Sequence, residues 1–213
     1  MKIIRLIKRW ILKILTSSYL RRLRKGVTKN DFSIISNDCC GGIIYHRLGK
    51  KFSSPFINLF INHSDFIELI SNIDFYLNEK LLEEKSELNY PVGLLGKERP
   101  IKIHFMHYSN FNQAKECWER RKQRIIPNKI IVIFNLTNSL EKEYVDQCVT
   151  KMENMSLDNY LVLSRFDSSN PNVVKIDFSD LPEFHNAQIL APRHVPYKLH
   201  IDQINYKKVF NKF

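Results

Sequence analysis

Phe32-Ser33-Ile34-Ile35-Ser36 runs directly into Asn37-Asp38-Cys39-Cys40-Gly41-Gly42, and this junction decides the reading of the fold. A short apolar, β-branched run suits a buried strand. Small, polar and thiol side chains at its carboxyl end are how an α/β protein presents functional groups.

Beyond the junction, helix and strand patterns alternate. Residues 43–48 read as a short helix stopped by Gly49, and Ser53-Ser54-Pro55 starts an irregular or helical turn. Ser64 or Asp65 is placed to cap a helix through Phe66, Leu69, Ile70, Ile73 and Leu77. Residues 90–95 and 101–106 form two β-type runs around Gly96-Lys97-Glu98-Arg99-Pro100, the chemistry of a hairpin-like connection. Ser109 or Asn110 then caps a helix to about Arg124. Residues 130–134 are a continuous apolar strand of the type buried on both faces of a parallel sheet. A helix over 139–155, strands at 160–163 and 173–176 and a closing helix over 202–210 complete the pattern. The class expected is α/β: a single three-layer domain with a mainly parallel sheet, preceded by a basic amphipathic N-terminal helix.

The formal charge of the 213 residues is +11. Residues 1–29 hold ten Lys or Arg and no acid, so subtracting those ten leaves +1 for residues 30–213. Basicity therefore belongs to an arm (1–29, helix and linker) and not to the α/β domain (30–213), which argues against nucleic acid as the partner of the fold. Within residues 2–25, Ile3, Ile7, Trp10 and Ile14, with Ile4, Ile11 and Leu15, recur at helical spacing, while Lys2, Arg5, Lys8, Arg9 and Lys13 fall largely elsewhere around the turn. Lys13 breaks the apolar run short of bilayer-spanning length, so the helix suits the interface of an anionic membrane. Packing on its own domain with a solvated basic face is the other arrangement. Four cysteines without C-x-x-C pairing fit free thiols in a reducing cytoplasm, at the inner face of the cell membrane.

Loops that follow parallel strands open on one edge of a sheet, so four segments are expected to converge. They are Asn37-Asp38-Cys39-Cys40, His107-Tyr108, Asn135 and Ser164-Arg165. Cys39, ahead of a helix start, is the candidate nucleophile, because the positive end of a helix lowers a thiol pKa. Gly41 and Gly42 allow close backbone approach to a ligand. Strand alternation puts His107 at the strand's mouth, on the face opposite His104 and Met106, as the candidate general base. Trp118 and Arg121 share a helix face near it, where an arginine can clamp a pyrophosphate or carboxylate. Asp177-Phe178-Ser179-Asp180 has one residue too many between its acids for a DxD metal and nucleotide-sugar signature, so no metal is expected.

Several ordered blocks together resemble one bacterial family, the domain of unknown function nineteen-nineteen, often labelled exopolysaccharide biosynthesis. They are residues 32–39, Gly41-Gly42, Ser54-Pro55-Phe56, Tyr90-Pro91-Val92-Gly93, residues 103–108 and residues 117–125. The resemblance covers about residues 31–135 well and the remainder loosely. The family's first block reads Ser-Asn-Asn-Cys, a variable residue and a glycine; here Asp38 replaces the second Asn, and a carboxylate beside Cys39 raises a thiol pKa. The resemblance implies a role in capsule, exopolysaccharide or lipopolysaccharide biosynthesis. The expectation is a sugar-modifying transferase acting on a glycan or lipid-linked sugar, with acyl-CoA or a nucleotide sugar as donor and acyl transfer preferred to glycosyl transfer. Cys39 and His107 would be catalytic, and Asn37, Asp38, Gly41, Gly42, Tyr108, Trp118, Arg121 and Asn135 would bind substrate. The alternative is a non-catalytic glycan-binding or assembly protein of the same pathway.

Overall fold

The structure, a computed structural model, describes residues 2–155, 157–181, 188–195 and 197–212. Its centre is a four-stranded, wholly parallel sheet in the order β1-β5-β6-β7: β1 (Ser33–Ser36), β5 (Ile130–Asn135), β6 (Tyr160–Ser164) and β7 (Val173–Lys175). The period of two along each strand divides the apolar side chains between two faces. Ile34, Ile131, Ile133, Leu161 and Leu163 enter one core with α2 (Cys40–Leu48) and α7 (Tyr206–Phe210). Ile35, Val132, Phe134 and Val162 enter the other. That second core is closed by α3 (His63–Ser71), α5 (Phe111–Lys122) and α6 (Lys142–Asn154). A sheet buried on both faces explains why residues 130–134 read as uninterrupted apolar sequence.

The hairpin runs do not join this sheet. β3 (Val92–Leu95) and β4 (Ile101–His104) are antiparallel neighbours in a separate three-stranded sheet whose other edge is β2 (Leu81–Glu84). No β signal marks β2 in the sequence, because only Leu81 of Leu81-Leu82-Glu83-Glu84 is fully buried. Between the sheets runs an extended stretch at Phe60 and Ile61. Phe60 exchanges both backbone hydrogen bonds with His104, each 2.8 Å, and Ile61 donates to the Asn37 carbonyl at 2.8 Å. Two adjacent residues thus stitch β4 to the carboxyl end of β1. α4 (Ile73–Asn78) leads from α3 to β2.

Local details refine the expected boundaries. α3 starts at His63 after Asn62, and Asp65 accepts from the Lys102 backbone N–H at 2.9 Å instead of capping its own helix. Asn110 caps α5 by accepting from Gln113 N–H at 2.9 Å. Gly49 ends α2 in the left-handed conformation, φ 65°, with its own and the Lys50 N–H bonded back to His46 and Tyr45. The closing segment is a 3₁₀ turn, His200–Gln203, followed by α7. The amphipathic arm is α1 (Lys2–Gly26). Its last turns pack on α2, where Arg24 donates to the carbonyls of Arg47 at 3.1 Å and His46 at 3.2 Å. Beneath it Arg47 forms a buried ion pair with Asp202.

Candidate active site

The turn from β1 into α2 is built by its own polar side chains. The Asp38 carboxylate accepts from Cys40 N–H at 2.9 Å, and the Ser36 hydroxyl accepts from Gly41 N–H at 3.2 Å. A Cβ on Gly41 would lie 2.5 Å from Ser36 Oγ, so glycine is required for α2 to approach the strand this closely. The Gly41 amide is therefore engaged within the turn and is not turned toward a ligand. Gly42 faces Ile57.

Asn37 is fully buried and brackets the end of the neighbouring strand. Its Nδ2 donates to the Asn135 carbonyl at 3.1 Å, and its Oδ1 accepts from Asn135 N–H at 2.8 Å. Asn135 in turn donates from Nδ2 to Asp38 at 2.6 Å, while its Oδ1 accepts from the backbone and hydroxyl of Thr137. Arg165, after β6, donates to the Thr137 carbonyl at 3.0 Å and lies over the Phe178 ring. This is a preorganised polar floor across three strand ends.

On this floor stands a close pair of reactive side chains brought together from distant sequence. Cys39 Sγ lies 3.3 Å from His107 Nε2. The thiol is half-buried and the imidazole exposed. Their meeting does not arise as the strand-polarity argument supposed, because β4 is outside the parallel sheet. It arises from the Phe60 and Ile61 stitch, which hangs the end of β4 beside Asn37. His107 also lies beyond the strand, in the turn closed by Tyr108 N–H to the Phe105 carbonyl, so strand alternation does not set its direction.

Two opposed influences act on Cys39. It stands at the start of α2, where the helix dipole favours thiolate, but burial and the Asp38 charge push its pKa up to about 11. The resting group is the thiol. Its backbone, φ −66° and ψ −8°, is relaxed.

Two further groups face this region without having been signalled by sequence. The His63 ring sits edge-on to Phe134 and stacks with Tyr144, whose hydroxyl is 3.2 Å from Nδ1. Burial lowers the His63 pKa, and the Asp38 carboxylate acts against that shift. His63 stands two residues after the mostly apolar run Phe56 to Ile61, and no period or motif included it.

The remaining expected residues divide. The Tyr108 hydroxyl accepts from Arg121 at 2.7 Å, and the Arg121 guanidinium lies over the Phe52 ring, so these two form a unit next to the dyad. Trp118 is 1% exposed and packs edge-on against Phe56 and Phe105, which makes it part of the core.

The fold and site thus define an α/β protein with a Cys–His pair at the carboxyl edge of a parallel sheet. Residues 11–176 match the family described as Domain of unknown function (DUF1919), and the chain belongs to that family. It is 37% identical over 124 residues to a protein of Haemophilus influenzae described as uncharacterized, a stretch that is 58% of this chain and 59% of that protein.

Proposed function

We propose that this protein is a transferase of cell-surface polysaccharide biosynthesis that moves an acyl group onto a sugar hydroxyl through Cys39. The observation that carries the chemistry is the 3.3 Å approach of Cys39 Sγ to His107 Nε2. The glycan as substrate rests on the resemblance carried by the sequence blocks.

A thiol held up to about 11 is inert until its proton has a destination, and His107 provides one. As Sγ attacks the carbonyl of an acyl thioester donor, its proton passes to His107 Nε2, and the donor's thiolate leaves as the thiol by taking that proton. The acyl group now sits on Cys39. A sugar hydroxyl then loses its proton to His107 and attacks the Cys39 thioester; the acyl–sulfur bond breaks and Sγ regains the proton. His107 thus acts as base and acid in each half.

The test is intact-mass analysis after incubation with acyl-CoA, together with polysaccharide composition in cells. Wild-type protein gains one acyl mass on Cys39, Cys39→Ala gains none, and polymer from the variant lacks the modification. Normal polymer from both Cys39→Ala and His107→Ala cells would sink the catalytic reading. The second reading, a glycan-binding or assembly protein, is favoured by the raised thiol pKa and by the engaged turn amides. It predicts unmodified Cys39 and glycan binding insensitive to Cys39→Ala.

A further inference from the structure

Helix α1 divides into two unlike halves. Its carboxyl half is held to the body of the protein by Tyr19, Leu23 and Arg24: Tyr19 lies against Arg47 and Tyr197, Leu23 packs on the core, and Arg24 caps α2. Residues 3–15 are exposed at every position. They supply nine of the fifteen large apolar side chains exposed among the described residues, with Ile3 at 71% and Trp10 at 65%.

Direction decides what this half is for. At about 100° per residue, Ile3, Ile7, Trp10 and Ile14 fall on the side of α1 opposite Tyr19 and Leu23. The apolar stripe therefore faces away from the domain and is not a continuation of the docked face. Packing of the stripe on its own domain is ruled out by this geometry. Along the same outward side the helix turns cationic at Arg21 and Lys25, both exposed, while Arg22 and Lys13 flank the stripe about a quarter turn to either side.

We propose that the outward face of α1 lies in the surface of an anionic lipid bilayer, with residues 3–15 at the acyl boundary and Arg21, Arg22 and Lys25 among the lipid phosphates. No helix among the described residues is long and apolar enough to cross a membrane, so α1 lies along the interface and does not span it. Charge selects the occupant. α1 carries no acidic residue, so a second copy of the same face would bring cations against cations, whereas anionic headgroups complement them. Lysine stems reach past the apolar stripe to keep their ammonium groups at the headgroup level.

Flotation of the full-length chain with vesicles tests this. The chain rises with phosphatidylglycerol-containing vesicles at low salt, and binding falls by at least about tenfold with pure phosphatidylcholine or at high salt. Ile7→Glu and Trp10→Glu each lose binding by at least about tenfold while melting unchanged, because neither side chain touches the fold. Trp118 is shielded in the core, so a blue shift on binding in wild-type protein reports Trp10. Flotation unaffected by Ile7→Glu, no flotation of wild type, or a vesicle-free dimer that Ile7→Glu dissociates would each overturn the proposal, the last by making a second copy the occupant.

Discussion

Two histidines, His107 and His200, each meet one strong partner, and their surroundings give them different work. His200 is wholly buried, stacked on Phe178, with Nδ1 2.8 Å from the Ala191 carbonyl and Nε2 2.6 Å from Asp180. Both of its ring nitrogens and its backbone N–H are used, and its ring ties the 3₁₀ turn before α7 to the segment after β7. His107 is exposed, contacts Cys39 through one nitrogen and has no third group among the described residues to orient it. Saturation marks an architectural histidine. An unsaturated imidazole beside a thiol marks one free to accept a proton from something that arrives.

That contrast breaks most visibly at Asp180. Its carboxylate accepts from the backbone and ring of His194 and from His200, so Asp180→Ala strips one of the two ring partners from a buried imidazole. We expect a loss of about 3 kcal/mol in urea denaturation. The same contacts hold the Asp180 carboxyl below the ordinary carboxylate range, the His194 backbone bond first and His200 next. A depressed folded pKa stabilises fully above the unfolded value of about 3.9 and loses that contribution as pH falls through the folded one. The melting gap between wild type and Asp180→Ala is therefore constant near neutrality and closes in the acid range below about pH 4.

Next comes Gly41→Ala, which forces a methyl to 2.5 Å from Ser36 Oγ and pushes α2 off β1. A cost of about 2 kcal/mol is expected by thermal melting, with slower acylation of Cys39 because the thiol moves with the helix. Asp38→Asn is milder. It removes one of the two causes that raise the Cys39 pKa, so iodoacetamide labels Cys39 about threefold faster near pH 8, burial still holding the rest of the shift. The replaced amide keeps one acceptor oxygen for two donors, Cys40 N–H and Asn135 Nδ2, so one of them meets an N–H, for a loss of about 1 kcal/mol in urea denaturation. Smallest in stability is His107→Ala, expected within about 0.5 kcal/mol of wild type by denaturation. A loss as large as that of Asp180→Ala would make His107 a second architectural histidine and erase the comparison.

Much of this was legible because it is local. The strand-to-turn junction at Ser36 to Gly42, the apolar run of β5, the Asn110 cap and the Gly49 stop each follow from side-chain size, periodicity or a capping oxygen within a few residues. The position of His107 was anticipated on the wrong ground. Strand polarity cannot tell a parallel neighbour from a separate hairpin sheet, and the contact is made instead by Phe60 and Ile61, whose backbone bonding no side-chain pattern records. β2 stayed hidden because an edge strand that buries one residue alternates too weakly to read. His63 and Tyr144 meet across the chain through packing alone. Trp118 shares its helix face with Arg121, but the space between Phe56 and Phe105 takes the indole inward.

The Phe60 and His104 pairing also decides where this protein can lengthen. It fixes β4 only three residues before His107, so the imidazole's position is insulated from whatever happens upstream in the hairpins. The connections between β2 and β3 and between β3 and β4 lie on the far side of that fixed point and can take inserted residues with the dyad unmoved. A single residue inserted between His104 and His107 has no such protection and would carry the imidazole away from Cys39. Variation in length across the first region, and intolerance of it in the second, is the pattern a laboratory insertion scan should return.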